Sequence, residues 1–215
     1  MPEILVGRLY SWPEFAEDGQ DIWLVHLGEP VFFLRVIYRP EATMPSGEVS
    51  DLAFPLQRDG RFALGNLIFL EPRQADMRAV ASMVAGAIDA VNDEDVAELL
   101  GLDRRPFDPV PAHIVPEDLP RGFVVGAIYE PRSGTIDRNW WIAHIGLPPF
   151  VMRLSEATDE DVEEGDVWAS VTDQAVLTHP RWLSAIGCDA DELRHLAATG
   201  AYVIQEIASD DMAIP

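Results

Sequence analysis

The chain has 215 residues and a formal net charge of −22, built from 37 acids against 15 arginines and no lysine. With 48% hydrophobic and 24% charged residues it has the balance of a folded globular protein, not of a disordered one. That charge repels nucleic-acid phosphates and anionic membranes and attracts basic proteins, and the lack of lysine excludes Schiff-base and P-loop chemistry.

From the N-terminus, residues 3–10 have the pattern of a strand, followed by a polar loop over 11–21. Residues 22–27 form an uninterrupted apolar run and predict a buried strand; Gly28-Glu29-Pro30 predicts a turn, and 31–38 the returning strand of a hairpin. A second hairpin, 49–56 and 61–70, is predicted around Asp59-Gly60. Met77, Val80, Ala81, Val84, Ala87, Ile88 and Val91 then recur at helical spacing, and a short helix is expected over 94–100. Pro106, Pro109, Pro111, Pro116 and Pro120 crowd the next segment, which reads as a semi-rigid linker.

After that linker the first motifs return in the same order. Gly7-x-x-Tyr10 is matched by Gly126-x-x-Tyr129, and Trp23-x-x-His26-x-Gly28-x-Pro30 by Trp141-x-x-His144-x-Gly146-x-Pro148. Arg35 is matched by Arg153. Strands are predicted over 123–129, 140–145, 150–154, 167–171 and 175–178, with His179-Pro180-Arg181-Trp182 as a loop entering a helix. A helix is predicted from Asp189, with Glu192 placed for a capping box and Leu193, Leu196, Ala197, Ala201, Ile204 and Ile207 as its apolar stripe. The expected fold is therefore α+β: a tandem repeat of two similar modules, each a small antiparallel sheet with a covering helix, at 1–103 and 122–215, joined by the Pro-rich linker 104–121. Whether the two sheets pair edge to edge or pack about a twofold axis is left open.

His26, Arg35, His144 and Arg153 are the candidate ligand-binding residues: two imidazoles as bases or ligands and two guanidinia as anchors for an anion. Against this, a feature present in both halves is more often part of the shared framework, the histidines bonding the backbone near their turns. The tract Asp159, Glu160, Asp161, Glu163 and Glu164 occurs only in the second half and is a candidate contact for a basic partner; its spacing does not match a calcium loop. Cys188, the only cysteine, stands at a predicted helix start, where a thiolate would be favoured, but no catalytic signature surrounds it. No catalytic set, metal site or cofactor motif is recognised.

These features lead to the expectation of a soluble, cytoplasmic, non-enzymatic binding or regulatory protein of inhibitor or immunity type, with a basic protein as partner and no direct contact with nucleic acid or membrane. One alternative is a small-ligand binder or enzyme with its site between the two halves. Another is a structural component of a larger assembly.

Overall fold

The structure, a computed structural model, describes residues 3–11, 22–38, 54–55, 62–70, 77–92, 122–156, 167–184 and 187–209. Five strands come from the first half: β1 (Ile4–Ser11), β2 (Ile22–His26), β3 (Phe32–Tyr38), β4 (Phe54–Pro55) and β5 (Phe62–Phe69). Helix α1 (Met77–Asn92) follows. The second half supplies β6 (Gly122–Glu130), β7 (Thr135–His144), β8 (Phe150–Glu156), β9 (Ala169–Ser170), β10 (Ala175–Trp182) and helix α2 (Ala190–Ser209).

Among the described residues all ten strands belong to one antiparallel sheet, in the order β4-β5-β3-β2-β1-β6-β7-β8-β10-β9. This overturns the expected α+β tandem of separate sheet-plus-helix modules. β1 pairs with β6 along its whole length, from Ile4 opposite Tyr129 to Ser11 opposite Gly122, so the sheet has no seam between the halves. The cores are shared as well. Tyr129 packs into the cluster beneath α1, with Ile4, Leu24, Leu34 and Val84. Tyr10 packs into the cluster beneath α2, with Phe123, Ile142, Met152 and Ile204. Each half thus buries a tyrosine supplied by the other.

Both helices lie on one face of the sheet, as their apolar stripes require. On α1, Val84, Ala87, Ala90 and Val91 are buried; on α2, Leu193, Ala197, Gly200, Ala201, Val203, Ile204 and Ile207 are. Asp189 caps α2: its Oδ1 accepts from the backbone N–H groups of Asp191 (3.0 Å) and Glu192 (2.9 Å). A Cβ on Gly200 would lie 2.9 Å from Ile142 Cδ1, so glycine lets α2 approach the sheet closely.

The opposite face carries a third core that runs across both halves, including Leu5, Trp23, Val25, Phe33, Val124, Ala143, Ile145 and Val151. Its burial follows from curvature. Arg181 Nη1 on β10 donates to Glu3 Oε2 at 3.0 Å. In a flat sheet four strand spacings and six residues of strand would part their backbones, close to 20 Å in each direction. The sheet therefore coils toward this face, as right-handed strand twist favours, and folds it inward.

The predicted linker 104–121, the short helix 94–100, the turn Asp59-Gly60 and the acidic tract Asp159, Glu160, Asp161, Glu163 and Glu164 lie outside the described residues. Two local readings change. Residues 135–139, which fall between two predicted strands, extend β7 around a bulge. His179-Pro180-Arg181-Trp182, read as a loop entering a helix, continues β10 past a bulge between Thr178 and Arg181. Proline is tolerated there because a bulge leaves a backbone position outside the ladder.

Candidate functional site

The recurring residues fall into one row across the middle of the sheet. Arg35 pairs with Trp23, Trp23 with Gly7, Gly7 with Gly126, Gly126 with Trp141, and Trp141 with Arg153. Gly65 stands beyond Arg35 and Thr178 beyond Arg153. Directly opposed residues share a face, here the concave one. The central glycines are dictated by backbone approach: a Cβ on Gly7 would collide with the Val125 carbonyl, and one on Gly126 with the Val6 carbonyl, lying 2.5 Å from Gly7 Cα.

The two ends of the row differ in detail. The Arg35 guanidinium lies 5.8 Å from the Trp23 ring centroid, a cation–π contact, and both residues are buried. The Trp23 indole N–H makes no hydrogen bond among the described residues. Trp141 instead donates its indole N–H to Asp137 Oδ2 (3.2 Å), while Asp137 Oδ1 accepts from the Asn139 backbone N–H (3.0 Å). Asp137 thereby fixes both the β7 bulge and the indole. Arg153 is half-buried, and its Nε is buried with no hydrogen-bond partner among the described residues.

His26 and His144 project from the other face, each sharing a side of its strand with Leu24 or Ile142. His26 Nδ1 lies 2.9 Å from the Pro30 carbonyl oxygen and His144 Nδ1 2.7 Å from that of Pro148. A carbonyl oxygen only accepts, so each ring donates from Nδ1. The motif spacing follows. The ring folds back over its own turn, and a Cβ on Gly146 would sit 2.9 Å from His144 Cε1 and Nε2. Both turns contain a cis X–Pro bond, at Glu29–Pro30 and Leu147–Pro148. His26 stacks on Phe32 with ring centroids 4.5 Å apart; His144 lies between Phe123 and Phe150.

The four candidates therefore occupy separate places. The histidines are on the face opposite the arginines. His26 is aligned with Ile4, whereas His144 is aligned with Phe123, which faces Tyr10; six residues of strand, about 20 Å, part them along the sheet. Along the row Arg35 and Arg153 stand five strands apart, about 24 Å when measured over the sheet.

Burial lowers the pKa of both histidines from 6.5, the backbone hydrogen bonds to Pro30 and Pro148 opposing it in part. As pH falls below about 6.5 the unfolded chain takes up protons while the folded rings stay neutral. The stability from these sites is complete above that pH and is lost as pH falls through the folded values. A His26→Asn plus His144→Asn variant is expected to show a shallower fall of Tm than the parent from about pH 7.5 to about pH 5. Equal slopes would place the acid sensitivity in other groups.

Cys188 does not favour a thiolate. Burial raises its pKa, and the carboxylates of Glu192 and Asp189 raise it further. Among the described residues no group of three or more His, Cys, Asp or Glu side chains is placed to hold a metal ion, and no helix is long and apolar enough to cross a membrane.

Sequence reasoning did not single out Asp137, Ser155 or Thr178, and it read His179 as part of a loop entering a helix. Thr178 is fully buried, yet its Oγ1 lies 3.0 Å from Ser155 Oγ and 2.9 Å from His179 Nδ1. The available signal was the alternation Arg153-x-Ser155, two polar side chains on one face of an otherwise apolar strand, where the first half has Arg35-x-Ile37.

No protein-family model, curated protein or solved structure matches the chain.

Proposed function

We propose that the protein is a cytoplasmic, non-enzymatic binding or regulatory protein, of inhibitor or immunity type, whose partner is a basic protein. The observation that carries this reading is how charge is distributed. Acids face solvent at Glu29, Asp89, Glu130, Glu156, Asp173 and Glu192, among others, in both halves. Among the described arginines Arg35 is buried and Arg8 and Arg153 are half-buried; Arg132, Arg181 and Arg194 are exposed, the last two paired with Glu3 and Asp191. The outward field is negative, which speeds encounter with a basic surface. An apolar contact accompanies it. Leu147 is 66% exposed and Trp182 37% exposed, and Trp182 stands opposite Phe150, next to the turn that bears Leu147. Exposed aromatic and aliphatic side chains of this kind anchor interfaces whose rims are polar.

The test is capture of basic proteins from the source cell on the immobilised chain at low salt, followed by affinity measurements across a salt series. A basic partner is expected whose association rate falls steeply with salt and falls again when Glu156, Asp173 and Glu192 are neutralised together. Affinity indifferent to salt, or retention of no basic protein, would overturn the reading.

A further inference from the structure

We propose that Arg153, Ser155, Thr178 and His179 form a binding site for a small oxyanion, a carboxylate or a phosphate group. Arg153 has no carboxylate partner among the described residues, although the chain carries 37 acids. Its Nε is shut off from water with no acceptor among the described residues, an arrangement that is costly unless an anion completes it. Its fork geometry suits two oxygens of one carboxylate or phosphate.

Hydroxyl groups flank it on the same face. Thr178 is directly opposite Arg153 on β10, a placement that brings Cβ atoms to about 5 Å, and Ser155 is the next residue on that side of β8. The hydroxyls are linked in a chain, His179 Nδ1 to Thr178 Oγ1 to Ser155 Oγ. When the imidazole donates to Thr178 and Thr178 to Ser155, the Ser155 O–H is left to donate to a ligand beside Arg153. The chain is held by the β10 bulge, where His179 takes a φ of 53°, uncommon for a residue with a side chain. His179 is exposed and Arg153 and Ser155 are half-buried, so the cluster opens to solvent.

The sheet itself does not require this cluster. At the matching positions Arg35 faces Gly65, and Ile37 stands where Ser155 does. Trp23 lies under Arg35 as a cation–π partner, whereas Trp141 is held by Asp137. Among the described residues, the Arg35 end of the row has its aromatic contact and no facing hydroxyl, and the Arg153 end, whose Nε lacks an acceptor, has the donors.

The test is a titration of the full chain with inorganic phosphate and, separately, acetate, against sodium chloride at equal ionic strength, following arginine side-chain Nε–H resonances by NMR. One resonance, identified by its loss in Arg153→Met, is expected to shift saturably with one of the two anions and not with chloride. Phosphate alone would assign the site to phosphate groups, acetate alone to carboxylates. Ser155→Ala combined with Thr178→Val should weaken the response roughly tenfold or more. A second readout separates binding from a framework role. Without oxyanion, Arg153→Met should melt at or above the parent temperature, because it removes a charge that lacks a counterion. The anion should raise the melting temperature of the parent only. A resonance that responds to neither anion, or as strongly to chloride, would overturn the proposal, as would an Arg153→Met chain that melts below the parent.

Discussion

Replacing Gly126 with alanine is expected to remove a large part of the chain's stability, about 3 kcal/mol. The added methyl would overlap the Val6 carbonyl and stand 2.5 Å from Gly7 Cα, and both obstacles are backbone in the centre of a sheet. A flexible side chain could swing aside; paired backbone cannot. Relief would need β1 and β6 to separate, and their ladder of eight residue pairs is what unites the two halves. Overpacking at a rigid site costs about 3 kcal/mol or more, against a total stability of about 5–15 kcal/mol for a typical domain. Gly7→Ala meets the Val125 carbonyl and should behave alike. Urea titration followed by circular dichroism would measure both, and a midpoint within error of the parent would show that the strands can part at little cost. Gly134→Ala is the contrasting control. A Cβ there touches nothing, so only its φ of 64° opposes alanine, and a loss of about 1 kcal/mol is expected.

Residues 1–103 and 122–215, produced as separate chains, are each expected to fail to fold alone. Cutting between them exposes the long edges of β1 and β6 and removes one large side chain from each helix-covered core. The core under α1 loses Tyr129 and the core under α2 loses Tyr10. Truncating one buried aromatic side chain costs about 3–5 kcal/mol before the lost strand pairing is counted. The concave core would also be split, since Leu5, Trp23 and Phe33 come from one half and Val124, Ala143 and Val151 from the other. Mixing the two pieces should restore structure by reforming β1 against β6. A cooperative melt from either piece alone would show that its core is self-sufficient.

Local features of this fold were legible because they are written in short-range periodicity. Apolar runs bounded by turn residues located most of the strands, and spacings of three and four located α1 and α2 with their buried faces. Asp189 was legible as a cap because its role is decided within three residues. The pairing of β1 with β6 was not legible, since nothing in a strand's own sequence names the edge it will meet. The recurring Gly7 and Gly126 were visible as a pattern, but their cause, the approach of two distant backbones, exists only once the strands are paired. The histidines were legible as turn-bound framework groups, because a ring, a glycine and a proline at fixed short spacing can complete the contact locally. His179-Pro180 misled: proline ordinarily ends a strand, and only the bulge accommodates it. The Arg153 cluster stayed hidden for a related reason, since Thr178 and His179 join it from a different strand.

The β1–β6 pairing also bears on how the chain is made. During synthesis β1 emerges long before β6, with more than a hundred residues between them. Pairings so distant in sequence form slowly, and until the ribosome delivers β6 the first half presents an open strand edge and an incomplete core. Such an edge invites association with other nascent chains. The first 108 residues carry nine arginines and nineteen acids. Mutual repulsion between incomplete copies would keep them apart during that wait, so the acidity shields the polypeptide before it has any folded surface to present.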